Sequence, residues 1–390
     1  SRPPIMTVSN ARTLPLVFAL LSACAQRTTP ATDTSAEPAR EAAQFPGGWR
    51  LPAGASSTFA SHAMAVSNSP EASAAAAEIM KAGGNAVDAA VALGFALAVA
   101  WPEAGNIGGG GYSIVHMADG RTTAIDYREV APLAATRNMY VDANGKVTDR
   151  SIEGHLASGV PGAVAGLTLL LETYGTMPLS RVMQPAIALA RDGFVIDTAL
   201  AGSMSRAAIM VARNSPVTPY FPNGQALPAG ARLVQPDLAR TLQAIADYGA
   251  KAFYEGWIAD SLVAEQQRGG GIITRADLKA YTPVPRSAIA STYRGYRLLA
   301  MPPSSSGGVT MTEALNILEQ YSTMPAYGST RWFHLVGSAF QRAFIDRNSK
   351  LGDPAFVNVP MGDLEGEYLV VRPSAVIGIR VEPLYGSLDD

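Results

Sequence analysis

Four consecutive glycines, Gly108–Gly111, place the strongest constraint on how this chain can fold. Glycine has no Cβ, so such a run either opens a turn or lets two backbones approach more closely than side chains permit. Two short alternating segments follow it, Tyr112–Met117 and Thr122–Tyr127. Between them, Asp119-Gly120 supplies the positive φ that a tight turn needs. The pattern predicts a β-hairpin with a two-residue turn directly after the glycines.

Charged residues return at the end of the second predicted strand, with Asp126, Arg128 and Glu129. An arginine at a strand end can bond both oxygens of a small carboxylate, because its guanidinium is a planar fork. The sequence therefore makes Arg128 a candidate carboxylate ligand. The alternative is a surface cluster of ion pairs among the same three residues, which is the commoner arrangement for such a triplet.

The glycine run fits neither of two common nucleotide-binding motifs. No Gly-Lys-Ser/Thr follows it, and a predicted strand stands where a dinucleotide fingerprint requires a helix. The chain carries 30 Lys and Arg against 32 Asp and Glu, for a formal net charge of −2. With this balance and no basic stripe, nucleic acid is not expected as a partner.

The cysteine and histidine content argues against further classes of site. Cys24 is the only cysteine in the 390 residues, so neither an internal disulfide nor a cysteine-based zinc site is expected. The four histidines are widely spaced and form no HxH or HxxxH pair. We therefore expect no metal site and no cofactor.

Residues 1–24 have the pattern of a bacterial export signal. Arg12 precedes the apolar run Leu14–Leu21, which is too short to span a bilayer. The segment ends in Leu-Ser-Ala-Cys, which predicts a lipoprotein signal with Cys24 as the lipidated residue. An ordinary signal peptide is the alternative.

Residues 25–59 are rich in Thr, Ala, Pro and Glu, which predicts a disordered tether. The folded region is then 60–390. The expected location is the periplasm, with membrane contact only through the lipid anchor. A soluble secreted protein is the alternative.

Helix signals dominate the folded region. Ser69 and Asn85 are N-cap candidates for two helices, and the second, which runs to about Ala100, is apolar on every side and therefore buried. Further helices are predicted at 163–174, 178–192, 236–248, 252–267, 275–280, 310–321 and 330–347, and a strand at 293–301. The serine-rich loop 302–308 could hold a nucleophile, but no His and Asp partners lie nearby in sequence.

Seven segments resemble, in order, the large-subunit core of the γ-glutamyltransferase (γ-glutamyltranspeptidase, glutathione hydrolase) family. They are AGGNAVDAAVA at 82–92, GNIGGGGY at 105–112, DYREVAP at 126–132, SGVPGAVAGL at 158–167, GGIITRADL at 270–278, YRGY at 293–296 and MPPSSSGG at 301–308. The resemblance extends from about Ala63 to about Pro360, and residues 367–383 depart from it. It implies an α+β fold, the four-layer αββα sandwich of the N-terminal-nucleophile hydrolases, with only the large-subunit part in this chain.

The resemblance also implies a precursor that cleaves itself before a threonine, which then heads a small subunit. That threonine attacks the γ-glutamyl amide of glutathione or related compounds, and water or an amino-acid or peptide acceptor resolves the γ-glutamyl enzyme. Arg128 matches the family's ligand for the α-carboxylate of the γ-glutamyl group. The Thr-Thr-His signature is absent, and the Thr-Thr pairs at Thr28 and Thr122 lie in other contexts. We therefore expect the nucleophile in a small-subunit partner and no turnover by this chain alone.

Two further functions stay open. Cephalosporin (glutaryl) acylases share this architecture, although Arg128 in its DYRE context favours an α-amino-acid substrate. A non-catalytic envelope lipoprotein that keeps the fold for binding agrees with the absent threonine. Arg128 and the intact glycine run argue against that second alternative.

Overall fold

The computed structural model describes residues 58–214 and 219–361. Three predicted segments lie outside the described residues: the signal with Cys24, all but the last two residues of the tether, and residues 367–383, where a departure from the family was expected. The helices are α1 (Pro70–Lys81), α2 (Ala86–Ala100), α3 (Ala163–Tyr174), α4 (Leu179–Val182), α5 (Gln184–Asp192), α6 (Thr198–Asn214), α7 (Pro236–Tyr248), α8 (Ala250–Tyr254), α9 (Trp257–Arg268), α10 (Arg275–Ala280), α11 (Gly307–Glu319) and α12 (Thr330–Lys350). The strands are β1 (Tyr112–His116), β2 (Thr122–Asp126), β3 (Phe194–Val195), β4 (Arg232–Leu233), β5 (Val284–Arg286), β6 (Ile289–Tyr293) and β7 (Tyr296–Ala300).

The first two helices begin at the residues that the sequence predicted. The Ser69 side chain accepts a hydrogen bond from the backbone of Ala72, and Pro70 occupies the first helical position. Asn85 caps α2 in a reciprocal box with Asp88. Helix α2 has buried residues on every side, because α1, α3 and α5 pack around it. The prediction of a buried apolar helix is confirmed.

A buried carboxylate connects the start of α2 to the segment after α3. Asp88 is fully buried and accepts hydrogen bonds from the backbone N–H of Asn85, Thr176 and Met177, at 2.7, 2.8 and 3.1 Å. The Thr176 hydroxyl donates a further bond of 2.6 Å. Burial by itself raises the pKa of Asp88, but these donors outweigh it and hold the pKa below the ordinary value.

The hairpin after the glycine run forms as predicted, and it belongs to a three-stranded antiparallel sheet in the order β1-β2-β5. Its turn differs from the prediction. Met117 N–H donates to Arg121 O and the positive φ lies at Gly120, so the loop has three residues. The Asp119 carboxylate accepts from the Arg121 backbone N–H, which favours this longer loop.

Several predicted helix and strand boundaries are wrong, because one or two residues interrupt what the sequence indicates as one continuous element. The helix predicted at 178–192 divides at Met183, and the one at 252–267 divides at Gly256. Helix α6 was not predicted. Tyr293 ends β6 rather than beginning a strand, since Arg294 and Gly295, with φ of 49° and 83°, form a two-residue turn into β7.

The packing is of the α+β class. The main core includes the buried face of the β1–β2 hairpin and helices α1 to α5 and α7 to α9, and a second cluster lies between α11 and α12. Within the described ranges, no helix combines the length and the apolar character needed to cross a membrane.

Replacing the buried carboxylate by an amide tests its contribution to stability. Asp88→Asn should lower the free energy of unfolding by about 2–4 kcal/mol at pH 7, because an amide NH₂ would face backbone donors in a buried site. Because the pKa of Asp88 is lowered in the folded state, its carboxylate stabilises the fold at pH values above the pKa of the unfolded chain. The difference in unfolding free energy between wild type and variant should therefore shrink as the pH falls below the ordinary pKa of 3.8. Urea unfolding measured at several pH values checks both expectations.

Asp237→Asn is the matched control, since Asp237 also lies in the first turn of a helix but its side chain is 88% exposed. It should change stability little. An equal loss in the two variants would contradict the role given to Asp88.

Candidate functional site

The glycine run lies against the end of β2 and the start of α3. Gly111 and Tyr127 exchange two backbone hydrogen bonds, of 3.0 and 3.2 Å, which extend the β1–β2 ladder by one pair. The Gly109 carbonyl accepts from the N–H groups of Gly162 and Ala163, at 2.8 and 2.9 Å. The run therefore caps a helix that has no side-chain cap of its own.

Close backbone approach is the reason that glycine occurs here. A Cβ at Gly110 would lie 2.5 Å from Tyr127 O and 2.8 Å from Glu129 N. Immediately afterwards Val130 and Val160 form a two-way bridge of 2.8 and 3.4 Å. The segment that carries Arg128 is thus held by backbone on both sides.

Arg128 lies two residues beyond the end of β2 and is exposed. Its Nη1 donates to the Tyr112 hydroxyl at 3.2 Å, and the Tyr281 hydroxyl donates to its carbonyl oxygen at 2.9 Å. The hydrogen bond to Tyr112, and then the neighbouring charges of Glu129 and Asp126, raise the pKa of Arg128 above its ordinary value. The guanidinium therefore stays protonated.

The ion-pair cluster considered for Arg128 does not form in the part of the chain that the structure describes. Asp126 pairs instead with Arg286, at 2.9 Å between Nε and Oδ2, and no ion pair of this region includes the Arg128 guanidinium. The carboxylate of Asp126 is 7% exposed, and it also accepts from the Arg128 backbone N–H at 3.1 Å. The exposed guanidinium keeps its charge available for a ligand.

The serine-rich loop 302–308 also reaches this point. Ser304 Oγ donates to Asp126 Oδ2 at 3.1 Å and lies 3.0 Å from the Tyr112 hydroxyl. Its hydrogen-bond partners among the described residues include no histidine. Nothing in this geometry activates Ser304 as a nucleophile.

Two stacked tyrosines, Tyr281 and Tyr254, support the backbone around Arg128. Their rings stack with centroids 5.8 Å apart, and the Tyr254 hydroxyl donates to Pro161 O at 2.9 Å. Burial raises the pKa of Tyr281 and of Tyr254 well above the ordinary value, so both hydroxyls remain proton donors. The Arg128 backbone is therefore also held by Tyr281, which follows α10 and stacks on Tyr254 of α8.

A groove of about 680 Å³ opens beside Arg128. Its lining includes the glycine run, residues 157–159, Val130, Thr136 and Met139, together with Glu129 beside Arg128. A small ligand with a carboxylate can bind at the Arg128 end, and Glu129 adds a negative charge to the same groove. Among residues 58–214 and 219–361, no group of three or more His, Cys, Asp or Glu is placed to hold a metal ion.

Sequence reasoning found Arg128 and the glycine run but missed Tyr112, Tyr281, Arg286 and Ser304. Tyr281 and Ser304 adjoin or belong to segments noted for their family resemblance, yet nothing in the sequence indicated that they meet Asp126 and Arg128. Asp277 has a structural role, because it completes the capping box of α10 with Thr274 and accepts from the Leu133 N–H at 2.6 Å.

A protein-family model described as Gamma-glutamyltranspeptidase matches residues 72–375. The chain belongs to the gamma-glutamyltranspeptidase family. It is 47% identical to the Glutathione hydrolase proenzyme of Escherichia coli (strain K12), over 73% of this chain and 50% of that relative. It is 43% identical to the Acylase ACY 1 proenzyme of Pseudomonas sp. (strain V22), over 78% of this chain and 56% of that relative. The chain thus spans about half the length of these curated relatives.

A solved structure of Helicobacter pylori gamma-glutamyltranspeptidase superimposes with a TM-score of 0.78 at 38% identity. The match covers 85% of this chain and 99% of the solved one. The prediction of the family is therefore confirmed, and so is the α+β fold of the N-terminal-nucleophile hydrolases.

Two glycines of the run provide a test of the close approach. Gly110→Ala should lower the free energy of unfolding by about 1–3 kcal/mol, because two backbone segments must move apart. Gly108→Ala should be nearly neutral, since the nearest atom to its Cβ would lie 3.6 Å away. Thermal unfolding of both variants checks this. Equal Tm values would show that the run is only a flexible connection.

Proposed function

We propose that this chain is the large-subunit portion of a gamma-glutamyltransferase proenzyme, in which Arg128 binds the α-carboxylate of a γ-glutamyl donor such as glutathione. The observation that carries the proposal is the Arg128 guanidinium itself. It is exposed beside a groove, held by a neutral hydroxyl, and free of ion pairs within the described residues. A planar cation placed in this way can bond both oxygens of a small carboxylate.

The chemistry itself belongs to a threonine that the 390 residues do not contain in the family's Thr-Thr-His context. In the proposed mechanism, self-cleavage of the precursor frees that threonine at the head of a small subunit. Its hydroxyl attacks the γ-glutamyl amide carbonyl and its α-amine accepts the hydroxyl proton. The amide C–N bond then breaks, the proton passes to the departing amine, and the γ-glutamyl group remains as an ester on the threonine. Water or an amino-acid or peptide amine then releases the γ-glutamyl group. Arg128 supplies binding and orientation to this reaction.

A two-chain protein is supported by the extent of the matches. The chain covers 99% of the solved Helicobacter pylori chain but only 50% of the Escherichia coli proenzyme. A boundary between two subunits accounts for this difference. We therefore propose a small subunit, made from the same precursor, as the obligate partner.

An acylase is the second candidate, and the 43% identity to an acylase proenzyme favours it. A glutaryl group carries a terminal carboxylate, as a γ-glutamyl group does, so Arg128 can bind either one. The two substrates differ in the α-ammonium group. Comparing glutathione with a glutaryl β-lactam as substrates of the mature enzyme separates the two functions.

Arg128→Lys in the mature two-chain enzyme tests the assignment. The substitution keeps the charge but loses the fork, so KM for the γ-glutamyl donor should rise about tenfold or more with a smaller change in kcat. Arg297→Lys, at an exposed arginine of β7, is the matched control and should leave KM unchanged. An unaltered KM in a fully processed Arg128 variant would refute the proposed role.

The 390-residue chain by itself provides the companion measurement. Without the threonine of a small subunit it should not hydrolyse a γ-glutamyl anilide, whereas the complete proenzyme should appear as two chains on a denaturing gel and be active. Sustained turnover by the 390 residues alone would contradict this division of labour.

We further propose that Cys24 anchors the protein to the periplasmic face of the cell envelope. The support is the Leu-Ser-Ala-Cys sequence after the apolar run. Radioactive palmitate should label the wild-type protein expressed in a bacterium, and Cys24→Ser should abolish the label. No label on the wild-type protein would leave the soluble secreted alternative, and a label that persists in the variant would place the lipid on another residue.

A further inference from the structure

We propose that Tyr112 and Ser304 are positioning residues for Arg128, which they hold through a directional chain of hydrogen bonds that ends on Asp126. The proposal rests on the assignment of Arg128 as the carboxylate ligand, and it adds the residues that orient its side chain. Tyr112, Ser304 and Asp126 do not line the groove beside Arg128.

The direction of the chain follows from the number of protons. A serine hydroxyl has one proton, and that of Ser304 goes to Asp126 Oδ2 at 3.1 Å, because a carboxylate only accepts. Ser304 Oγ must then accept from the Tyr112 hydroxyl, 3.0 Å away. The Tyr112 oxygen in turn accepts from Arg128 Nη1 at 3.2 Å. All donors point from the guanidinium to the buried carboxylate, so each bond polarises the next.

The charges explain why a relay is used instead of direct contact. Glu129 and Asp126, one and two residues from Arg128, are its nearest potential counter-ions in sequence, and neither forms an ion pair with its guanidinium among the described residues. The Asp126 carboxylate, however, is bonded by Arg286 Nε, by Ser304 and by the Arg128 backbone N–H. Arg286 neutralises the buried charge, and Arg128 is held by a neutral oxygen. Its positive charge is therefore not spent on an internal ion pair.

The remaining freedom of Arg128 lies in its side chain. Asp126 bonds its backbone N–H, and Tyr281 bonds its carbonyl oxygen. An exposed arginine side chain otherwise samples many rotamers, and ordering it on binding costs entropy. One bond to Nη1 restricts the guanidinium and leaves its other N–H groups for a carboxylate. The Tyr112 hydroxyl thus preorganises the Arg128 guanidinium, whereas a phenyl ring without the hydroxyl would not.

Three variants of the mature enzyme test the relay. Tyr112→Phe keeps the ring and loses the hydroxyl, so KM for the γ-glutamyl donor should rise about fivefold or more, with kcat and Tm nearly unchanged. Ser304→Ala should act in the same direction, and Ser304→Thr, which retains a hydroxyl, should restore KM. The double variant Tyr112→Phe/Ser304→Ala should add little to either single one, since both interrupt the same chain.

Tyr296→Phe is the matched control, because Tyr296 is 75% exposed on β7. It should leave KM unchanged. If KM in Tyr112→Phe equals that of the wild type, or if the two single effects multiply in the double variant, the relay is refuted.

Chemical modification of the full 390-residue chain gives a second readout that needs no turnover. Phenylglyoxal reacts with accessible guanidinium groups, and peptide mass mapping measures the rate at each arginine. Tyr112→Phe should accelerate modification of Arg128 several-fold relative to Arg297, which is an internal reference. An unchanged ratio would refute the relay even if the enzyme assay were affected.

The two readouts separate this inference from the proposed function. If Tyr112→Phe changes the reactivity of Arg128 but neither it nor Arg128→Lys changes KM, the carboxylate-binding role fails together with the positioning role. If Arg128→Lys raises KM and Tyr112→Phe changes neither readout, the proposed function stands and only the relay is overturned.

Discussion

A close approach of backbone to backbone organises this protein. The glycine run lies between the end of β2 and the start of α3, at distances that exclude a Cβ at Gly110. The carbonyl of Gly109 accepts the first N–H groups of α3, and Gly111 extends the β1–β2 ladder. One tetraglycine therefore begins a sheet and caps a helix. The position of Arg128 depends on both.

The local rules of helix ends and tight turns account for what could be predicted of the fold. Ser69, Asn85 and Thr274 cap helices because their side chains bond the backbone at fixed offsets, and these starts are readable in sequence. The errors in the predicted helices and turns lie where short interruptions or single side-chain bonds override the local sequence pattern. Helix α6 was missed although Leu200, Met204, Ala208 and Val211 contact the core at helical spacing, because small and polar residues separate them. Gly256 interrupts a segment whose sequence otherwise predicts one continuous helix. The three-residue hairpin loop depends on one side-chain bond of Asp119 that composition does not reveal.

The site was predictable only in its local part. A strand end and a resemblance were enough to single out Arg128 as a candidate. Tyr112 lies 16 residues away across the hairpin. The other partners are distant in sequence, with 153 residues from Arg128 to Tyr281, 160 from Asp126 to Arg286 and 178 from Asp126 to Ser304. A single sequence contains no signal for such contacts, because each partner looks locally like an ordinary strand, turn or helix-end residue. The buried Asp126 carboxylate is paired with Arg286 and Ser304, because leaving its charge unpaired away from water would cost a large amount of free energy.

The backbone anchoring of Arg128 has a consequence for how the groove can diversify. Gly162, Val160 and Tyr127 hold the segment through main-chain bonds, which do not depend on the identity of the groove's side chains. Met139 and Thr136 line the groove from a separate loop. Substitutions there can reshape the part of the groove away from Arg128 without displacing its guanidinium. A fixed cation beside a wall of replaceable side chains is a suitable starting point for altering specificity in the laboratory.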